Sequence, residues 1–182
     1  MNQLIDSATT IRKGEELDSE KLTAYLKETI PDFSDKISIQ QFPGGFSNLT
    51  YLITAGVDEY VLRKPPFGAN IKSAHDMGRE YKVLRLLEPV YDKIPQPISF
   101  CEDVSVVGAP FYLMERVKGV ILRNTIPSGL HLKPSHFNEL STHTIENLVA
   151  LHTIELEQSG LISLGKPEGY VQRQVEGWTA RY

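Results

Sequence analysis

The residues of this chain best suited to chemistry come in a fixed order: Gly44-Gly45-Phe46-Ser47-Asn48, then Arg63-Lys64, then Glu80, then Met114-Glu115 with Val117. Glycine lets backbone N–H groups approach phosphate oxygens closely, and Ser47 and Asn48 add side-chain donors, so the first segment suits a loop over phosphates; Gly-Gly is equally a common hairpin turn. Arg63 and Lys64 close the apolar run Tyr60-Val61-Leu62, and a cation at a strand end suits phosphate binding, as it also suits a strand emerging into solvent. Side chains alternate along a strand, so only one of the two faces a cleft, and Arg63, on the same face as Val61, is the better placed. Glu80 lies three residues after Met77 and four before Leu84, inside an apolar helical stripe where an unpaired carboxylate is costly to desolvate. A cation should therefore meet it, Arg63 or else Lys64, unless Glu80 reaches water from the edge of the stripe. A buried pair would make Glu80→Ala cost about 3–5 kcal/mol; an exposed pair would cost less than about 1 kcal/mol. From Met114 to Val117 an apolar strand gives way to a polar turn, where Met114 would back a base pocket and the backbone of Glu115 and Val117 would bond an adenine edge. An ordinary strand end reads the same way, because backbone recognition leaves no side-chain signature.

Other reactive residue types carry less. His152 sits in the helical run Leu148-Val149-Ala150-Leu151-His152 with no identifiable partner for general-base work, and reads as structural. Cys101, between Phe100 and Glu102, has no neighbouring base and reads as a strand residue. A single cysteine permits no internal disulfide, which makes a reducing cytoplasm the default location, and no Cys/His cluster has zinc spacing. No aspartate follows Asp103, so the usual carboxylates for ligating magnesium or orienting a hydroxyl are missing; no catalytic residue and no metal ligand is expected within this chain. A formal charge of −4 and a pI near 5.7 give no global attraction for nucleic acid or an anionic membrane. No apolar stretch is long enough to span a bilayer. Oligomeric state is not legible.

The elements that must position these residues follow from periodicity. Residues 1–17 read as a polar lead-in, and Asp18 or Ser19 offers an N-cap to a helix carrying Leu22, Tyr25, Leu26 and Ile30, stopped by Pro31. Alternation predicts strands at 37–41, 49–54 and 59–64, joined by the Gly44-Gly45 segment and a turn at Ala55-Gly56-Val57-Asp58. Met77, Tyr81, Leu84 and Leu87 mark an amphipathic helix over 74–88 closed by Pro89. Strands at 98–102 and 110–115 flank a turn at 104–108. Beyond Gly119 only helices are expected, one over 135–155 with Phe137, Leu140, Ile145, Leu148, Val149 and Leu151 on a broad apolar face, and another beginning at Val171. This predicts an α+β fold: a five-stranded antiparallel sheet with one packed helix, then helices too few to close a core.

These phrases, with Arg79-Glu80-Tyr81 and Phe111-Tyr112-Leu113-Met114-Glu115, resemble the aminoglycoside phosphotransferase family of small-molecule kinases, from about Ile37 onward. Leu62-Arg63-Lys64-Pro65-Pro66, Cys101-Glu102-Asp103 and Gly169-Tyr170-Val171-Gln172-Arg173-Gln174 are most similar to the kinase-like domains joined to acyl-CoA dehydrogenases. The resemblance implies a protein-kinase-like fold, with residues 1–117 as a nucleotide-binding lobe and 118–182 as the hinge exit and the incomplete start of a helical lobe. It also implies ATP, magnesium held by ligands beyond this chain, and a small-molecule hydroxyl acceptor, a hydroxyacyl-CoA among the candidates. The family often places lysine where Arg63 stands, so a bidentate pairing with Glu80 is expected. The family's His-Gly-Asp loop, its downstream Asn and its metal-binding Asp are not found, so the chain is expected to be the N-terminal part of a kinase, inactive alone. The alternative is a non-catalytic nucleotide-binding or interaction module of the same fold.

Overall fold

A computed structural model describes residues 4–44, 47–66, 76–122, 125–127, 129–166 and 168–181. Helix α1 (Ser19–Thr29) starts where Asp18 accepts a hydrogen bond from the Lys21 N–H, and Pro31 stops it. Three strands follow, β1 (Ile37–Gln41), β2 (Leu49–Ala55) and β3 (Asp58–Lys64), then α2 (Met77–Leu87), β4 (Pro97–Cys101), a single helical turn α3 (Val104–Val107) and β5 (Phe111–Glu115). All pairs are antiparallel, and the sheet order is β1-β2-β3-β5-β4. Helix α4 (Pro134–His152), a 3-10 turn (Leu161–Leu164) and α5 (Tyr170–Thr179) complete the chain.

The predicted five-stranded antiparallel sheet with a packed helix is what the chain forms. The turn expected at 104–108 is a helical turn instead: Asp103 caps it by accepting from the Ser105 N–H, and Gly108, at φ 82°, ends it in the left-handed region that glycine adopts without strain. The long helix ends at His152, three residues before the expected 155, and α2 starts at Met77 behind an Asp76 cap; residues 74–75 lie outside the described residues.

Register decides what each sheet face carries. Across β2, β3 and β5, Tyr51 pairs with Leu62 and Leu62 with Leu113, so these share one face, and Leu22 and Leu26 of α1 with Val106 and Val107 of α3 cover it. Each such side chain contributes roughly 1.5–3 kcal/mol on burial. The polar lead-in belongs to this layer too: Thr9 bridges to Gln41, the Arg12 N–H donates to Gln41 Oε1 (2.9 Å), and Ile11 and Leu17 pack on the core. On the opposite face Thr50, Arg63, Tyr112 and Phe100 form one row across four strands, and Leu52, Val61 and Met114 the next. Helix α2 packs on that row, with Tyr81 stacked on Phe100 at 5.8 Å between ring centroids.

Tyr51 gives the core a measurable pH response. It is fully buried, its hydroxyl donates to the Glu15 carbonyl (2.7 Å), and burial, reinforced by the Glu15 carboxylate, pushes its pKa up to about 12. The folded pKa lies above the unfolded value, so this stabilisation is complete below pH about 10 and is lost as pH climbs toward 12, by roughly 3 kcal/mol. Urea denaturation between pH 9 and 12 should show that loss, and Tyr51→Phe should flatten the slope. An unchanged slope in Tyr51→Phe would assign it to other tyrosines.

Candidate functional site

Strand β3 presents Arg63 to the α2 face and Lys64 to the other, as strand alternation requires. Lys64 is wholly buried, and its Nζ donates to the Val107 carbonyl (2.8 Å); burial depresses its pKa, partly offset by the Glu15 carboxylate. It ties the end of β3 to α3. Arg63 pairs with Glu80, Nη2 to Oε2 at 3.4 Å, so the expected Arg63–Glu80 pair forms.

One expectation about this pair is corrected. It is not bidentate, because both Glu80 oxygens are engaged: Oε1 accepts from Asn48 Nδ2 (2.8 Å) and Oε2 accepts from the Tyr112 hydroxyl (2.9 Å) as well as facing Arg63. Of the buried and exposed alternatives left open, the structure gives a partly exposed pair, with the side chains of Arg63 and Glu80 33% and 35% exposed. Glu80 sits on α2 behind Arg63 and Asn48, which line a cleft. Asn48, expected as a phosphate donor, is buried and turns an amide N–H to Glu80. Tyr112 was read only as an apolar strand position; burial and the neighbouring Glu80 hold its hydroxyl protonated far above the ordinary tyrosine range, against the pull of Arg63.

The cleft measures about 980 Å³. Gly44, Ser47, Asn48, Thr50, Val61 and Arg63 line its sheet side, Met114, Glu115, Arg116 and Val117 its edge, and Asp92–Pro95 a further wall. Gly45 and Phe46 lie outside the described residues. Gln96 fixes Glu115 from both sides: the Glu115 N–H donates to the Gln96 carbonyl (2.9 Å) and the Gln96 N–H to Glu115 Oε2 (3.2 Å). The Val117 carbonyl accepts from Arg116 Nη1 (3.2 Å). Sequence reasoning missed Thr50, because its place beside Arg63 depends on register, and Lys93, because it lies between the helix closed by Pro89 and the next strand, where no periodicity marks a side chain. Lys93 Nζ and the Tyr91 hydroxyl both donate to Asn147 Oδ1 of α4 (2.7 and 3.3 Å), which joins that wall to the helical part.

Arg63 Nε is buried and has no hydrogen-bond partner among the described residues. A charged donor left unsatisfied beside an open cleft suits an anionic ligand, and phosphate oxygens would satisfy it. Among the described residues no three His, Cys, Asp or Glu side chains converge where a metal could sit. The groups on the described residues therefore suit an anion such as phosphate.

The family model described as "Phosphotransferase enzyme family" matches residues 38–182. The chain belongs to this family. Acyl-CoA dehydrogenase family member 11 of Homo sapiens is 38% identical over 170 residues, 91% of this chain and 21% of that protein. Acyl-CoA dehydrogenase family member 10 of Mus musculus is 34% identical over 179 residues, 98% of this chain and 17% of that protein. A crystal structure from Ralstonia eutropha JMP134, of a protein named for the aminoglycoside phosphotransferases, superposes with a TM-score of 0.75 at 32% identity, covering 92% of this chain and 47% of that one. This phosphotransferase-family chain thus has the kinase-like fold, is similar to proteins named as acyl-CoA dehydrogenases, and spans about a fifth of their length. No helix among its described residues is long and apolar enough to cross a membrane.

Proposed function

We propose that this chain provides the nucleotide-binding lobe of an ATP-dependent small-molecule kinase, residues 1–117, with residues 118–182 leading into the helical lobe. The observation that carries this reading is Arg63, its Nε buried and unsatisfied, held beside the cleft by a carboxylate that is itself held by Asn48 and Tyr112. In this assignment Arg63 bonds the phosphates and Glu80 fixes Arg63. Gly44, Gly45, Phe46 and Ser47 close over the phosphates, and Asn48 acts by holding Glu80. Val61 and Met114, paired across β3 and β5, pack on the base. The Glu115 N–H and the Val117 carbonyl are already engaged, so the Glu115 carbonyl and the Val117 N–H are the groups assigned to the adenine edge. Magnesium would be supplied with the nucleotide and ligated outside the residues described, in a cytoplasmic enzyme.

The acceptor is proposed to be a hydroxyl-bearing small molecule, a hydroxyacyl-CoA in particular, on the likeness to proteins named as acyl-CoA dehydrogenases. Transfer would form a bond from the acceptor oxygen to the γ-phosphorus as the bond to ADP breaks. A non-catalytic nucleotide-binding module is the second reading, favoured by the lack of any aspartate after Asp103.

Titrating the chain with ATP and, separately, adenosine tests the site. ATP should bind more tightly than adenosine, and Arg63→Ala should weaken ATP by about tenfold or more while leaving adenosine nearly unchanged. Equal binding of ATP by wild type and Arg63→Ala would remove Arg63 from the phosphate site.

A further inference from the structure

The family match begins at residue 38, yet the cleft has a wall built before it. Asp6 lines the cleft. Its segment is fixed at two places: the Asp6 N–H donates to the Gly119 carbonyl (3.2 Å), and three residues later Thr9 exchanges backbone hydrogen bonds with Gln41 (2.8 and 2.9 Å). Arg116 closes the arrangement, donating through Nη2 to the Asp6 carbonyl and lying over the Phe42 ring at 4.7 Å from its centroid. The lead-in therefore bridges two ends of the cleft. One is the segment 115–119, whose first residues are assigned to the base; the other is the end of β1, where Phe42 leads into the Gly44 segment assigned to the phosphates. Asp6 stands at the 116–119 end of this bridge and lines the cleft there, and three residues span at most about 11 Å, so Thr9 and the end of β1 lie no farther than that from it.

In any nucleotide the group between base and phosphates is the sugar. We propose that Asp6, from the segment preceding the family domain, is a specificity-determining residue that accepts a hydrogen bond from a ribose hydroxyl of the bound nucleotide. This rests on the nucleotide reading above. A carboxylate is the natural acceptor for a vicinal diol, since it offers two oxygens and several lone pairs to donors that lie close together. Backbone groups hold the segment at Asp6 and Thr9.

The test compares ATP, 2′-deoxyATP and 3′-deoxyATP binding to the full chain, as wild type, Asp6→Ala and Asp6→Asn, with thermal unfolding of each as a check on folding. Wild type should prefer ATP over at least one deoxy nucleotide by about tenfold. Asp6→Ala should erase that preference by weakening ATP alone, and Asp6→Asn, which keeps a neutral acceptor, should restore part of it. If Asp6→Ala weakens ATP and the deoxy nucleotides equally, the segment is only a wall and the sugar assignment is overturned. A preference untouched by Asp6→Ala overturns it as well. If wild type binds neither ATP nor adenosine, the nucleotide reading itself fails and takes this assignment with it, an outcome distinct from the other two.

Discussion

Glu80→Ala is expected to weaken ATP binding by about 10- to 100-fold while lowering folding stability by only about 1–2 kcal/mol. The two effects separate because of where the carboxylate sits. Glu80 and Arg63 are each about one-third exposed, so water reaches the Arg63 guanidinium when the carboxylate is removed, and the 3–5 kcal/mol expected of a buried pair does not apply. Arg63 then loses the contact that orients it, and a long side chain freed to sample several rotamers must be re-ordered each time it meets a phosphate. Urea denaturation and ATP titration of Glu80→Ala, Arg63→Ala and the double variant form the necessary cycle. Affinity losses should be far from additive, with the second substitution adding little to the first. A stability loss above about 3 kcal/mol with unchanged ATP affinity would make the pair a purely structural one.

The second large effect is on turnover. With ATP, magnesium and a panel of hydroxyacyl-CoA and aminoglycoside acceptors, the 182 residues alone should transfer no phosphate above background. No aspartate follows Asp103, and no three carboxylate, cysteine or histidine side chains converge among the described residues. The same preparation should self-associate. Helix α4 leaves Ile145, Leu148 and Val149 exposed, and α5 leaves Val171, Val175 and Trp178 exposed, with no buried residue on either helix. Sedimentation should show mass rising with concentration, and Ile145→Lys with Val149→Lys should reduce that rise without lowering the unfolding temperature. Turnover above background that Arg63→Ala abolishes would overturn the first expectation and require a glutamate such as Glu155 or Glu157 to serve where aspartate is usual.

Much of this was legible because it depends on local physics. Period-two alternation sends Arg63 and Lys64 to opposite faces whatever the rest of the chain does, and the choice of Arg63 for the cleft followed from its sharing a face with Val61. Asp18, Pro31 and the Met77–Tyr81–Leu84 stripe mark helices through capping, ring sterics and burial, which are read within one or two turns. The five strands were found within a residue or two of their ends for the same reason.

What the sequence alone determined is therefore the inventory: five strands, their helices, the alternation of each face, and a cation and an acid that belong together. The tertiary structure decided who stands beside whom. Sheet order and register brought Thr50 and Tyr112 to either side of Arg63, gave both oxygens of Glu80 a donor, turned Asn48 inward, and laid the lead-in across the cleft beside Arg116. Those placements join residues 13 to 110 positions apart, and no local preference encodes them. They follow from which apolar faces can be buried together, a property of the whole folded chain.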